Sequence, residues 1–381
     1  MRVALIHDWL VHPGGAEDVL RVLRGTFPES QVFALIDFLD PRERERLNVG
    51  HVETSPLQQV PGARAHYRKM LPLMPWAVER LDVRGYDVVL SVSHAVAKGV
   101  LTHPGQVHAC LCLSPMRYAW DLRGQYLEES GLAHGLSGWL ANAMLDRVQR
   151  WDAANSRRVQ AWASISDYIA DRVRRAYGVE SRVIYPPVDT GYFTPADAPR
   201  DDVYVTASRF VPYKRVDLIV RAFAAMPGRR LVVIGDGPDW DKVRAAAAPN
   251  VEFTGRLGRD ELRERVRRAR AFVFAAEEDF GIAPVEAQAC GTPVIAFGRG
   301  GALETVVGLD RAGDRAPTGL FFGEQTPAAL SAAIERFERD QHRITPAACR
   351  ASAERFAVPN FQAAIRDFVA GSLARAGAPG A

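Results

Sequence analysis

The sequence lacks the features that would place it in several specialised protein classes. No apolar run approaches the roughly 18 residues of a membrane-spanning helix, and the opening MRVALIHDWL predicts a first strand rather than a signal peptide. The four cysteines form no C-x-x-C pair, so we expect buried free thiols rather than disulfides or zinc. A formal charge of +3 is too small to argue for nucleic acid. With 24% charged and 48% hydrophobic residues, the composition is typical of a soluble globular enzyme.

A dinucleotide-binding fingerprint is also missing. Gly235-Asp236-Gly237 follows a predicted strand but lacks the third glycine of G-x-G-x-x-G, which disfavours an NAD-dependent dehydrogenase. Asp239 and Asp241 form a D-x-D, a pattern that elsewhere holds a divalent metal. Because no further acids cluster nearby, we interpret Asp239 as a helix N-cap or first-turn acid.

Short apolar runs alternate with helical patterns along the chain, which predicts an α/β protein with parallel sheets. At 381 residues, two domains are expected. The segment Tyr185–Asp202, rich in Pro and Asp, predicts the linker. The two halves resemble similar domains facing each other across a cleft. Long helices are predicted over Arg64–Leu81 and Leu136–Ala154.

One stretch, Ala275–Pro293, carries two acids around a glycine turn. The apolar run Ala271–Ala276 predicts a buried strand, and Pro284 suits the first position of the helix after it. A strand, glycine turn and helix direct free N–H groups at the carboxyl edge of the sheet, where an anion can bind. Glu278 precedes the turn, and Glu286 is predicted in the first helical turn.

Cationic and glycine-rich loops follow neighbouring strands at the same predicted edge. Arg209 and Lys214 can converge on one phosphate, the alternative being a solvated basic loop. The glycines Gly235 and Gly237 permit close approach to a ligand. Three further residues end other strands at this edge and are candidate contacts, with Glu304 equally interpretable as a first-turn acid: Arg256, Leu257 and Glu304.

The first half contributes four weaker signals. Gly14-Gly15 opens a helix after the first strand, as a phosphate or acceptor loop or a plain turn. His94 closes the strand Val88–Val92 and can donate to a substrate oxygen or make a structural hydrogen bond. Ser114–Asp121 (SPMRYAWD) suits carbohydrate binding or interdomain packing. Gly62–Arg80 interleaves basic and apolar residues, as a lipid-docking segment or an ordinary surface helix.

Together these motifs resemble the family 4 glycosyltransferases of the GT-B fold. The resemblance rests on EEDFGIAPVEAQACGTPVIA, SRFVPYKR upstream, GGALE downstream and GGAE near the N-terminus. It implies a GT-B α/β fold with two Rossmann-like parallel-sheet domains facing across a cleft. Residues 1–185 would bind the acceptor, residues 203–358 would bind the nucleotide-sugar donor, and residues 359–381 would cross back to the first domain. It also implies a retaining, metal-independent reaction with no cofactor beyond the nucleotide sugar as co-substrate.

The resemblance assigns roles residue by residue. Glu286 would hold the donor ribose, Arg209 and Lys214 would neutralise the diphosphate, and His94 would reach the transferred sugar. The implied catalytic residues are His94, Arg209, Lys214 and Glu278. The implied donor-binding residues are Gly14, Gly15, Gly235, Gly237, Arg256, Leu257, Phe280, Gly281, Ile282, Glu286 and Glu304. Asp279 stands where the family usually has glycine.

The segments SPMRYAWD and SVSHAVAKG are similar to bacterial GDP-mannose-dependent mannosyltransferases of polysaccharide assembly. This implies mannose as the sugar, a lipid-linked or oligosaccharide acceptor, and a cytoplasmic protein with peripheral contact to the inner membrane. A nucleotide-sugar 2-epimerase of the same fold is one alternative, and it would be expected to have catalytic carboxylates in the first domain. A non-catalytic nucleotide-sugar-binding protein is the other.

Overall fold

A computed structural model describes residues 1–377 except 13, 121–122, 125–126, 128–134, 312 and 314. Contacts between residues divide the chain into two units. The first unit contains Met1–Tyr185 and Phe361–Ala381, and the second contains Pro186–Asn360.

The first unit is built on a seven-stranded parallel sheet with the order β3-β2-β1-β4-β5-β6-β7. Its strands are β1 (Val3–His7), β2 (Gln31–Ala34), β3 (Val52–Thr54), β4 (Val88–Ser93), β5 (Val107–Cys112), β6 (Ala161–Ser164) and β7 (Arg182–Val183). The central strands are buried along their whole length, as expected for a parallel sheet covered on both faces.

Helices cover this sheet and close the first core. They are α1 (Gly15–Thr26), α2 (Pro41–Leu47), α3 (Ala63–His66), α4 (Met74–Val78), α5 (Gly135–Ser156) and α6 (Asp167–Tyr177), together with α14 (Val358–Ala376), which begins in the second unit. The continuous helix predicted over Arg64–Leu81 is wrong. The chain instead forms α3, a 3-10 segment over Tyr67–Leu73, and α4. Pro72 and Pro75 explain the breaks, because each removes a backbone donor.

The second unit repeats the plan with a six-stranded parallel sheet in the order β10-β9-β8-β11-β12-β13. Its strands are β8 (Val203–Ala207), β9 (Arg230–Ile234), β10 (Val251–Gly255), β11 (Ala271–Phe274), β12 (Val294–Phe297) and β13 (Gly319–Phe322). Its helices are α7 (Val216–Ala224), α8 (Trp240–Ala245), α9 (Arg259–Arg268), α10 (Ile282–Ala289), α11 (Ala302–Thr305), α12 (Pro327–Asp340) and α13 (Pro346–Glu354).

The helix after the acidic turn begins earlier than the sequence indicates. Gly281 is the N-cap of α10 and adopts a left-handed φ of 90°, so Ile282 is the first helical residue. Pro284 is therefore third rather than first, which still costs no hydrogen bond in the first turn. Glu286 becomes the fifth residue of the helix rather than the third, two positions further in than predicted.

The sheet order places a crevice in each unit. In both sheets the strand order reverses beside the first strand, between β1 and β4 and between β8 and β11. Ligands of doubly wound sheets bind outside the carboxyl ends of the strands at such a switch point. Among the described residues, no helix is long and apolar enough to cross a bilayer. The four cysteines are buried and free, as predicted.

Candidate active site

Asp8 organises the switch point of the first unit. It follows β1 and is fully buried, and its carboxylate accepts four backbone hydrogen bonds from the loop after β4. Its Oδ2 accepts from the amides of His94 (2.7 Å) and Ala95 (3.0 Å), and its Oδ1 accepts from those of Val96 (2.6 Å) and Ala97 (2.7 Å). One buried anion therefore fixes the backbone of the whole loop.

The same carboxylate holds the His94 side chain. His94 Nδ1 lies 3.1 Å from Asp8 Oδ2. The edge of the Trp9 ring meets the His94 ring with centroids 4.6 Å apart. Burial alone would raise the pKa of Asp8, but His94 and the backbone donors hold that pKa below its ordinary value. Asp8 therefore stays ionised beside His94.

A buried ion pair, Lys98 with Asp152, also holds this loop in place. Lys98 and Asp152 are both fully buried, and Lys98 Nζ lies 2.6 Å from Asp152 Oδ1 and 2.7 Å from the carbonyl oxygen of Ala95. Asp152 Oδ2 also accepts from the Tyr177 hydroxyl (2.7 Å) and the Trp120 indole N–H (2.9 Å). Burial lowers the pKa of Lys98, and Asp152 more than offsets this and raises it.

The segment Ser114–Asp121 is thus tied to its own unit through Trp120. Asp121 lies outside the described residues.

A second histidine, His7, lies 6.2 Å from His94 between ring centroids, and Glu17 interacts electrostatically with His7. His7, the last residue of β1, is fully buried, and its Nδ1 contacts the carbonyl oxygen of Trp9 at 3.0 Å. Burial lowers the pKa of His7 and raises that of Glu17, which sits in the first turn of α1. Gly14 is the N-cap of α1 and Gly15 its first residue, so the G-G-A-E motif lies at the carboxyl end of β1.

In the second unit, Lys214 meets Glu278 at the switch point. Lys214 ends a 3-10 turn after β8, Glu278 follows β11, and their charged groups are in direct ion-pair contact in a half-buried setting. Arg215, directly after Lys214, adopts a left-handed φ of 53°, which is uncommon for a non-glycine residue and turns the chain at this point. Arg209 on the same loop is exposed. Within the described part of the chain, it has no ion pair.

Glycines bring a second loop against Glu278. The amide of Gly301 donates to the Glu278 carbonyl oxygen at 2.7 Å, and Gly300 forms a bridge with Glu278. A Cβ on Gly301 would lie 2.4 Å from Phe280 Cα, so only glycine permits this packing. Glu304, half-buried on α11, follows directly. The first N–H groups of α10, beginning at Ile282, have no intrahelical acceptors.

The remaining predicted donor-binding residues are two glycines packed against backbone and two residues that follow an edge strand. A Cβ on Gly235 would lie 1.9 Å from the Ser208 carbonyl oxygen, and one on Gly237 would lie 2.3 Å from that of Phe210. Backbone packing alone therefore requires glycine at both positions, independently of any contact with a ligand. Arg256 is exposed and Leu257 half-buried after the edge strand β10. Asp239 is the N-cap residue of α8, as predicted, without a side-chain capping bond.

Sequence reasoning missed the group around Asp8. The signal was present, since Asp8 directly follows β1 and His94 directly follows β4, and neighbouring parallel strands end at one edge of a sheet. What these residues can do is hold a histidine beside a fixed anion. The second unit presents cations and helix N–H groups suited to a diphosphate.

Comparison with known proteins gives a family for the second unit. Residues 194–356 match the family described as "Glycosyl transferases group 1", and the second unit therefore carries a domain of this family. A GDP-mannose-dependent alpha-(1-6)-phosphatidylinositol monomannoside mannosyltransferase of Mycobacterium tuberculosis is 35% identical over 174 residues, covering 37% of this chain and 45% of that protein. A D-inositol 3-phosphate glycosyltransferase of Mycobacteroides abscessus is 34% identical over 157 residues, covering 36% and 35%. The chain thus matches less than half the length of these relatives.

Solved structures identify the fold over nearly the whole chain. Anabaena Alr3699/HepE in complex with UDP aligns with a TM-score of 0.70 at 18% identity, covering 97% of this chain and 100% of that one. The pneumococcal O-GlcNAc transferase GtfA, in complex with UDP and GlcNAc, aligns with a TM-score of 0.67 at 11% identity, covering 98% and 99%. The protein has the GT-B fold of two Rossmann-like domains, as predicted.

Proposed function

We propose that this protein, whose second unit carries a glycosyl transferases group 1 domain, is a retaining glycosyltransferase of family 4 that uses a nucleotide-diphosphate sugar. The observation that carries the proposal is the contact of Lys214 with Glu278 at the β8–β11 switch point. Exposed Arg209 precedes Lys214 on the same loop, and α10 begins four residues after Glu278. A pre-formed cation beside a helix N-terminus suits a diphosphate leaving group.

The proposed reaction needs charge stabilisation more than a protein nucleophile. The bond from the sugar anomeric carbon to the β-phosphate oxygen breaks, and the acceptor oxygen bonds to that carbon on the same face. The acceptor proton passes to the departing phosphate oxygen. Lys214 and Arg209 stabilise the negative charge that develops on the diphosphate, which assigns the role to protein cations instead of a metal. Glu286 holds the ribose and Glu278 orients the sugar.

In this proposal Asp8 acts through His94. Asp8 is too heavily engaged by four backbone amides to act as a nucleophile. Its contact with Nδ1 favours a proton on that nitrogen and leaves Nε2 as the acceptor for a hydroxyl of the transferred sugar. Asp8 is therefore a positioning residue, and His94 is the first-unit group that contacts the sugar.

Mannose carried by GDP is the donor that we propose. The support is the resemblance of SPMRYAWD and SVSHAVAKG, together with the names of the mycobacterial relatives. The proposed acceptor is a lipid-linked or polysaccharide-precursor glycan, and the proposed location is the cytoplasmic face of the inner membrane.

A nucleotide-sugar 2-epimerase is the second candidate. The observation in its favour is the pair of buried carboxylates, Asp8 and Glu17, beside the first switch point. The cations Arg209 and Lys214 favour transfer. Incubation of the donor without acceptor separates the two, because an epimerase produces the 2-epimer and the proposed transferase does not.

Replacing Lys214 tests the transferase proposal. Lys214→Ala removes one donor to the leaving group, so we expect transfer to fall by about 10²- to 10³-fold with the fold intact. Lys242→Ala is the matched control, since Lys242 is an exposed lysine of the same unit paired with Asp217 at 3.3 Å. Turnover of Lys214→Ala close to that of Lys242→Ala would remove the assigned role.

A further inference from the structure

Two neighbouring segments of the first unit expose large apolar side chains. Five of the ten exposed large apolar side chains in the described part of the chain lie on them. We call these five the apolar patch: Leu73, Trp76, Trp139, Leu140 and Met144. Trp139 is 69% and Leu140 63% exposed, well above the level expected of side chains that close a core.

The residues of the apolar patch are not those that bury each segment against the core, because other apolar residues of the same segments do so. In the first segment Leu71, Met74 and Ala77 are buried, and in α5 Ala141 and Leu145 are buried in the same cluster. The two segments therefore pack against one core, and α5 contacts the 3-10 segment Tyr67–Leu73. An ordinary surface helix over Gly62–Arg80 would explain why Leu71, Met74 and Ala77 are buried. It would not explain why Leu73 and Trp76 are exposed.

Helical spacing keeps the exposed residues of α5 together. Leu140 and Met144 are four residues apart and share one face of the helix, and Trp139 directly precedes Leu140. In the first segment, Leu73 and Trp76 are three residues apart and both are exposed. Each segment thus presents apolar groups that the described residues leave exposed.

Basic side chains accompany the apolar patch. Gly62–Arg80 contains four, Arg64, Arg68, Lys69 and Arg80, against one acid, Glu79. Glu79 is engaged by the Trp151 indole N–H at 3.0 Å and by Arg158 at 3.4 Å. The Arg80 guanidinium lies over the Trp76 ring, 4.6 Å from its centroid.

We propose that the apolar patch and the basic residues beside it dock this protein on an anionic phospholipid bilayer. Exposed tryptophans suit the interface between headgroups and acyl chains, and lysine and arginine suit anionic headgroups. The excess of positive charge on Gly62–Arg80 distinguishes this surface from a protein-binding core, which is depleted of charge. The docking does not depend on the glycosyl-transfer reaction, so it is measured without donor or acceptor.

Co-sedimentation of the full-length protein with vesicles tests the proposal. We expect binding to phosphatidylcholine vesicles containing about 30% phosphatidylglycerol, and much weaker binding to phosphatidylcholine alone, because each basic residue near the surface contributes separately to attraction. The double variant Arg68→Gln/Lys69→Gln should weaken binding to anionic vesicles about 25-fold at low salt. The double variant Trp139→Ser/Leu140→Ser should weaken it at least tenfold at any salt concentration.

Matched controls come from the same unit. Leu101→Ser replaces an exposed leucine outside the two segments, and Arg157→Gln replaces an exposed arginine directly after the C-terminal end of α5. Both should bind vesicles like the parent. The proposal is overturned if the parent ignores anionic vesicles, or if control and patch variants lose binding equally. It is also overturned if the Trp139→Ser/Leu140→Ser variant changes only the oligomeric state in light scattering, which would assign the surface to a second copy of the chain.

Discussion

Asp8→Asn is the substitution that most sharply probes the first-unit site. The carboxylate accepts two backbone N–H groups on each oxygen, and all four donors belong to residues 94–97. An amide is nearly the same size but keeps only one acceptor oxygen. Whichever way it turns, its N–H₂ group faces two backbone donors, and the charge beside His94 is lost.

The expected cost follows from this geometry. Two buried N–H groups left without an acceptor cost about 1–3 kcal/mol each. Removing one partner from a buried charged group typically costs about 3–5 kcal/mol in total. We therefore expect the free energy of unfolding of the first unit to fall by about 3–5 kcal/mol, which is a large part of the stability of a typical domain.

The pH dependence has a definite direction. The folded-state pKa of Asp8 lies below its unfolded value because His94 and the backbone donors outweigh burial. A lowered carboxyl pKa contributes stability that is complete above the unfolded-state pKa and is lost as pH falls through the folded-state pKa. The gap between parent and Asp8→Asn should persist at neutral pH and narrow below about pH 4.

Hydrogen exchange followed by mass spectrometry measures this on the full chain. Protection of β1, β4 and residues 94–97 should fall by roughly 10²- to 4 × 10³-fold in Asp8→Asn. Asp82→Asn is the control, because Asp82 accepts from Arg84 on the exposed surface of the same unit. Unchanged protection in the Asp8 variant, or an equal loss in the control, would show that Asp8 does not hold the backbone of residues 94–97 in place.

Two further substitutions test other contacts. Gly301→Ala should displace the Glu278 loop, because its Cβ would lie 2.4 Å from Phe280 Cα. Calorimetry should show that Gly301→Ala binds the nucleotide sugar at least about tenfold more weakly than the parent. Gly323→Ala is the control and should bind like the parent, because a Cβ there would have no atom within 4 Å. Equal affinities of the two variants would contradict the packing argument. Lys98→Met leaves the Asp152 carboxylate buried without its cation, so urea unfolding should show a loss of about 3–5 kcal/mol, and parental stability would contradict it.

The sheets were predictable because buried parallel strands are short continuous apolar runs. Ala271–Ala276 shows the limit of that signal. The strand ends at Phe274, and the Ala275 carbonyl oxygen accepts from Gln325, a contact 50 residues away that no local pattern reveals. Strand β3 was missed because it has only three residues, one of them the exposed Glu53. Helix α2 was missed because it is polar on nearly every side.

The parts of the site that could be predicted are those whose residues directly follow neighbouring strands of one sheet. Lys214 and Glu278 follow adjacent parallel strands, so their proximity follows from the order of the sheet. Asp8 could not be recognised, because its role depends on the loop after β4 folding its amides onto one carboxylate. The sequence suggested that Gly235 permits close approach of a ligand, whereas the nearest atoms that a Cβ there would meet belong to the backbone of Ser208.

Nucleotide-sugar binding to the second unit tests the central claim most directly. Thermal shifts would be measured with GDP-, UDP- and ADP-hexoses on the parent and on Lys214→Ala. A ligand at a hundredfold excess over Kd stabilises a protein by about 2.7 kcal/mol, enough for a clear shift. We expect at least one donor, with GDP-mannose foremost, to stabilise the parent and to lose most of that effect in Lys214→Ala. No stabilisation by any donor, or equal stabilisation of both proteins, would contradict the donor site.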